Sequence, residues 1–269
     1  MDKTALIAGG GRLPEIWMQR ALEAGRRVTV YEISGEETGQ FDPAEKVREI
    51  DLGRLRSLID LLKQDDIDEV IMLGKVRKER LYGDLDLDAA MQKLLAGLPD
   101  YQDETILAGI ASALEEAGFK ILPQDVYLQE RNFEPGLLAG PAERAGELED
   151  DFRQGLSLAR KMADLEIGQT VLLKEGTVLA VEAVEGTDAA IKRAGDLAGP
   201  DAVMAKASRP DQDDRLDIPA IGPRTVRLLA EIKAAGLVLE AGGVFLLEEE
   251  KCLQIARKND IVIRANTLQ

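Results

Sequence analysis

The sequence predicts an α/β protein of two domains: an N-terminal Rossmann-like parallel sheet over 1–133 and a C-terminal mixed α/β domain over 134–269. Three observations carry that expectation. Residues 4–33 read strand, glycine loop, helix, strand, and apolar strands then alternate with amphipathic helices as far as residue 122. Pro135, Gly136, Gly140 and Pro141 crowd one stretch, which marks the boundary. A hairpin pattern then opens a second series. With 269 residues, 45% of them hydrophobic, the chain can fill two cores.

In the first half, a strand at 4–8 runs into Gly9-Gly10-Gly11, and a helix at 13–24 follows with Pro14 in its first turn. Gly25 ends it and a strand spans 28–33. The pattern continues with a strand at 45–52, a helix at 53–64 and a buried strand at 68–73 that ends in Gly74-Lys75-Val76-Arg77-Lys78. Helices at 86–98 and 103–118 lead to a strand at 119–122. A glycine loop between strand and helix can seat a phosphate on backbone amides. Beyond the carboxyl ends of parallel strands the two glycine turns would face one crevice, although Lys75, Arg77 and Lys78 also read as a solvated charge run. Pro14 stands where a dinucleotide fingerprint needs its third glycine, which argues against nicotinamide or flavin binding despite Glu32 at the ribose position.

The second half opens with a helix at 150–164. A hairpin pairs 170–174 with 177–185 across Glu175-Gly176 and leads to a helix that Thr187 or Asp188 would cap. Next come a strand at 202–207, an acidic loop, a helix at 223–235, a β pair within 237–247, a helix through Cys252 and a strand at 261–264.

Composition narrows the chemistry. A net charge of −16 repels nucleic acid, and an anionic ligand would need local cations. No histidine is present, which excludes Ser-His-Asp and Cys-His catalysis and histidine-ligated metals. A general base must be a carboxylate, a perturbed lysine or a metal-bound water. One cysteine, Cys252, fits a reducing cytosol and a buried role, and no stretch reads as a membrane span. The acidic loop, residues 206–222, holds Asp211, Asp213, Asp214 and Asp217 among Lys206, Arg209 and Arg215. Such a run is either a hard-cation site or a solvated acidic loop.

The stretches IAGGGRLP, VIMLGKVR, IGQTVLL, VLAVEAVEGTD and KASRPDQDDRLDIPAIGP occur in this order. Together they resemble the UDP-2,3-diacylglucosamine pyrophosphatases of the LpxI type over almost the whole chain. That resemblance implies hydrolysis to 2,3-diacylglucosamine 1-phosphate (lipid X) and UMP in lipid A biosynthesis, with water attacking the α-phosphorus. It also implies Mg²⁺ as cofactor (Mn²⁺ as substitute), a substrate cleft between the two domains, a homodimer, and a cytoplasmic protein in transient contact with the inner membrane surface. The family's key aspartate falls on Asp217 and its motif lysine on Lys206, the expected catalytic residues. Substrate contacts are expected from Gly10, Gly11, Gly74, Lys75, Gln169, Thr187, Gln212 and Arg215. Oxygen ligands for the metal are expected from Asp217, Asp213, Asp188 and Glu185. Arg209 stands where the family has lysine, and Gln102-Asp103-Glu104 departs from its glycine and two aspartates. Two other readings stand beside this one: a Mg²⁺-dependent pyrophosphatase of soluble nucleotide sugars, and a non-enzymatic binder of nucleotides or lipid phosphates.

Overall fold

The computed structural model describes residues 3–76, 86–128, 133–211 and 213–268. Two compact units divide the chain: Met1–Leu128 with Asp213–Asp217, and Gln129–Gln212 with Ile218–Gln269. The short return of residues 213–217 to the first unit does not follow from the local pattern.

In the first unit, β1 (Lys3–Ala8), β2 (Arg27–Ile33), β3 (Lys46–Ile50), β4 (Glu69–Leu73) and β5 (Lys120–Ile121) form one parallel sheet in the order β3-β2-β1-β4-β5. Strands covered on both faces bury consecutive residues, which explains the unbroken apolar runs. Ala5, Ile7, Tyr31 and Met72 pack with Leu58 and Leu62 of α2 (Leu55–Gln64), whereas α3 (Ala89–Ala96) precedes α4 (Asp103–Glu116), whose Ala111 and Leu114 join the same core. On the opposite side Leu6, Val30 and Ile71 are buried, and α1 (Leu13–Glu23) lies against β1 and β2 with Trp17, Met18 and Ala21 fully buried. The chain leaves β1 toward β2 and returns past it to β4, so the carboxyl ends of β1 and β4 flank the switch point where such sheets take ligands.

The second unit is built on a mixed six-stranded sheet. It comprises β6 (Gly136–Ala139), β7 (Thr170–Lys174), β8 (Thr177–Val181), β9 (Val203–Lys206), β11 (Gly236–Glu240) and β13 (Val262–Asn266), in the order β6-β13-β11-β9-β7-β8. The central three strands are parallel, and β6, β7 and β8 pair antiparallel. The short α5 (Ala142–Glu147) precedes α6 (Glu149–Asp164), which covers one face with Phe152, Leu156 and Ala159. Gly155 lets α6 approach closely, because a Cβ there would stand 2.7 Å from Leu173 and 2.9 Å from Ala205. The other face carries α7 (Thr187–Ala198), α8 (Pro223–Glu231) and α9 (Glu249–Lys258), with Ile191, Leu229 and Ala256 buried against Leu172, Leu237 and Ile263. Cys252 is buried on α9, and burial pushes its thiol up to about 12.

Several boundaries differ from the sequence reading, each for a physical reason. Residues 136–139, read as a boundary loop, form an edge strand on β13. The second hairpin strand stops at Val181 rather than 185, because the chain turns there, with the Gly186 amide donating to the Ala183 carbonyl at 3.0 Å. The helix expected over 223–235 ends at Glu231, where Lys233 takes a left-handed φ of 55°. The segment 237–247 is not a hairpin pair. Its first part is β11, and its second, β12 (Phe245–Leu246), pairs in parallel with β10 (Ala220–Ile221) as a separate two-stranded sheet.

Candidate active site

At the carboxyl end of β9 in the second unit, Lys206 is 4% exposed. In register it pairs with Thr170, the first residue of β7, which brings that hydroxyl alongside. The Lys206 Nζ donates to Thr170 Oγ1 at 3.0 Å and reaches Glu182 Oε2 and Thr187 Oγ1 at 3.4 Å each. Thr187 donates to Glu182 Oε1 at 2.6 Å. Burial alone would raise the Glu182 carboxyl. The charge of Lys206 and hydrogen bonds from Thr170, Thr187 and Lys206 outweigh it and hold the group at about 2. Thr187 is therefore no N-cap: it is the first helical residue of α7, Gly186 occupies the cap at φ 79°, and the hydroxyl goes to Glu182. Gln169 is half-buried beside this group, its carbonyl accepting from the Ala207 amide at 3.1 Å.

One residue further on, Glu240 at the end of β11 accepts from both the amide and the hydroxyl of Ser208, at 2.8 and 2.7 Å, and pairs with Arg160 of α6. This clamps the start of the acidic loop to two elements. The sequence reading gives Glu240 no part, and it takes Glu182 only as a residue that the hairpin delivers toward the next helix. Glu182 sits inside an alternating hairpin pattern, and Glu240 follows an apolar strand like any helix-bound turn residue.

The other end of the acidic loop is anchored in the first unit. Leu216 is buried in the core beneath β4 and α4. Gln124, 4% exposed, donates its side-chain amide to the carbonyls of Met72 and Leu216, and its backbone amide to the Asp214 carbonyl at 2.6 Å. Arg215 binds both oxygens of Asp213 and reaches Glu115 of α4 at 2.7 Å. That hydrogen-bonded pairing with Arg215 holds the Asp213 carboxyl below its usual range. Asp217 is exposed between buried Leu216 and Ile218. A buried glutamine between two runs of loop gives no signal to periodicity, so sequence reasoning missed it.

The glycine turns meet at the switch point, but not as a row of open amides. The amides of Gly9, Gly10 and Gly11 donate to the carbonyls of Leu73, Lys75 and Glu37 at 2.8, 2.7 and 3.0 Å. A Cβ on Gly74, whose φ is 96°, would stand 2.7 Å from the backbone of Gly9. Gly9 and Gly74 thus lock two loops together, and an anion placed there would find these three amides already bonded. Lys75 is exposed and its backbone bridges Gly10. Gln212, Arg77 and Lys78 lie outside the described residues.

The four expected metal ligands divide between the two units. Asp213 and Asp217 belong to the first unit, Asp188 and Glu185 to the second. Asp213 pairs with Arg215, Asp188 with Arg224 at 2.8 Å and Glu185 with Arg193 at 2.6 Å. Among the described residues no group of three or more carboxylate, cysteine or histidine side chains gathers to hold a metal. Carboxylates of this kind, one or two beside substrate phosphates, are the oxygen ligands that Mg²⁺ takes.

The chain matches the LpxI N-terminal domain family over residues 3–131 and the LpxI C-terminal domain family over 134–264. It is 32% identical to UDP-2,3-diacylglucosamine pyrophosphatase LpxI of Caulobacter vibrioides, an alignment covering 95% of this chain and 94% of that one. Among solved structures, CobK precorrin-6A reductase aligns at 14% identity, covering 100% of this chain and 89% of that one with a TM-score of 0.36. An L-amino acid ligase from Bacillus licheniformis aligns at 18% identity over 68% of this chain, which spans 39% of the ligase, with a TM-score of 0.28.

Proposed function

The chain belongs to the LpxI family, and on that premise we propose that it hydrolyses the pyrophosphate of UDP-2,3-diacylglucosamine in lipid A synthesis. Water adds to the α-phosphorus, the bond from that phosphorus to the bridging oxygen breaks, and 2,3-diacylglucosamine 1-phosphate leaves while UMP keeps the new oxygen. The observation that carries this is the identity to the Caulobacter enzyme across nearly the full length of both chains. Parallel strands in the order β3-β2-β1-β4-β5, that of the Rossmann fold, support a nucleotide substrate.

In this reading Asp217, the exposed carboxylate of an anchored loop, takes the water's proton, since no histidine is available. Lys206 offers a positive charge to the phosphate oxygens from a low-dielectric setting, where it acts more strongly than in water. Thr187 and Gln169, which share its end of β9, contribute hydrogen bonds to the substrate. Mg²⁺, bound with the pyrophosphate and Asp217, would neutralise developing charge on the phosphates. No helix among the described residues is long and apolar enough to cross a membrane, and transient contact with the inner membrane surface, where a two-tailed lipid resides, belongs to the same reading, as does a homodimer.

The test is product analysis with purified protein, Mg²⁺ and ¹⁸O-water, comparing UDP-2,3-diacylglucosamine with UDP-N-acetylglucosamine. Label in UMP and a strong preference for the acylated substrate are expected. Label in the sugar phosphate would overturn the site of attack. Equal rates on both substrates would point to a general nucleotide-sugar pyrophosphatase.

A further inference from the structure

Resting on the reading that Lys206 acts on the substrate phosphates, we propose that Glu182 is a positioning residue for that lysine, holding its ammonium charged and aimed from within the second unit. The geometry is specific. Lys206 is 4% exposed, and its Nζ lies 3.0 Å from the Thr170 hydroxyl and 3.4 Å from both Glu182 Oε2 and the Thr187 hydroxyl. Glu182 in turn accepts from Thr187 on Oε1 and faces Lys206 with Oε2, so both of its oxygens are occupied. A buried ion pair of this kind is weak evidence for stability, because well-packed apolar side chains would serve the fold as well or better. Its effect is to fix a charge. An unpaired ammonium in this setting would give up its proton more readily.

Among the described residues, other charged groups of the second unit have partners of their own. On β11, the residue after Lys206's register partner Leu239 is Glu240, which binds Ser208 and Arg160. Arg209 faces Glu166 at 3.6 Å, and Glu185 holds Arg193. Among the described residues Glu182 is the carboxylate that pairs with Lys206. The 3.4 Å contacts are long enough to yield when a phosphate oxygen arrives, and the 3.0 Å bond to Thr170 keeps the stem in place.

The experiment uses the full chain as wild type, E182Q and E182D, with melting curves to confirm folding. E182Q is expected to lower kcat by about 10- to 100-fold, the scale on which groups that orient a functional side chain act. KM should change less. The basic limb of the pH–rate profile should move to lower pH, because Lys206 would lose its proton sooner. E182D keeps the charge and should keep that limb where the wild type has it. Independently of turnover, ¹³Cε NMR of the Lys206 signal, assigned with K206M, should show the ammonium titrating at lower pH in E182Q than in wild type. An unmoved Lys206 titration in folded E182Q overturns the proposal, as does a basic limb displaced equally in E182D. If E182Q does not fold, E182D decides: a wild-type titration with reduced kcat supports the pairing, and a shifted titration overturns it. Should the wild type leave UDP-2,3-diacylglucosamine uncut, the functional reading fails, and the lysine titration still decides whether Glu182 sets the charge.

Discussion

Leu216 and Ile218 are 4% and 3% exposed while Asp217 between them faces solvent, so that carboxylate can be changed without opening a core. Asp217→Asn preserves shape and removes the charge that a base or cation ligand needs. We expect kcat to fall by about 10²–10⁴-fold while the melting temperature stays within a few degrees of wild type. Parallel kinetics and thermal melts would check it. A variant keeping half its activity would shift the chemistry to another carboxylate. At this scale the sequence was informative about which residues carry charge and silent about what each charge meets. The sequence makes Asp213 a candidate metal ligand and Arg215 a candidate substrate contact, without showing that the two meet. Two positions apart on one turn, they close on each other, and Arg215 also reaches Glu115, a hundred residues earlier in the chain. Composition and spacing cannot express that contact, nor the burial of Gln124 beneath the loop that carries Asp217.

Elements with a long apolar run and a glycine stop were legible, and short ones held by distant partners were not. Strands β1, β2, β4 and β9 follow the expected segments closely, because each is a run of buried residues ended by a turn. Two-residue β10 and β12 exist only through each other, and a period of two cannot be seen in two residues. The glycine loops were legible as turns but not in what their amides meet: those of Gly9, Gly10 and Gly11 bond to the carbonyls of Leu73, Lys75 and Glu37. The contact between the loops makes a contrast of two alanines informative. At Gly74 a Cβ meets the Gly9 backbone at 2.7 Å with φ at 96°, whereas at Gly11, with φ at 97°, nothing lies within 4 Å. Gly11→Ala should therefore cost about 1 kcal/mol, the price of a left-handed φ. Gly74→Ala should cost about 3 kcal/mol, because strain and overpacking act together. Urea midpoints measure both, and equal losses would show that the loops do not lock.

For the whole molecule, the charge of −16 sets the terms on which an anionic substrate arrives. The summed field of 50 acidic against 34 basic side chains repels a pyrophosphate before any local cation can attract it. Screening should therefore help binding. Raising salt from about 20 to about 200 mM shortens the Debye length from roughly 20 Å to roughly 7 Å, and kcat/KM should rise a few-fold, opposite in sign to an electrostatically steered enzyme. Mg²⁺ would act in the same direction at the substrate itself, by neutralising the phosphates that the acidic surface repels, and it would do so through oxygen contacts that histidine-free chains can supply. Removing divalent ions with EDTA should lower the rate by at least about tenfold, Mg²⁺ or Mn²⁺ should restore it, and Zn²⁺ should restore it poorly because no nitrogen or thiolate ligand set is gathered. Steady-state rates in a nonionic detergent across a salt series, with and without chelator, separate the two effects. Full activity in EDTA would leave Lys206 to balance the phosphate charge without a metal, and a rate that falls with salt would mean that a local basic surface outweighs the net charge.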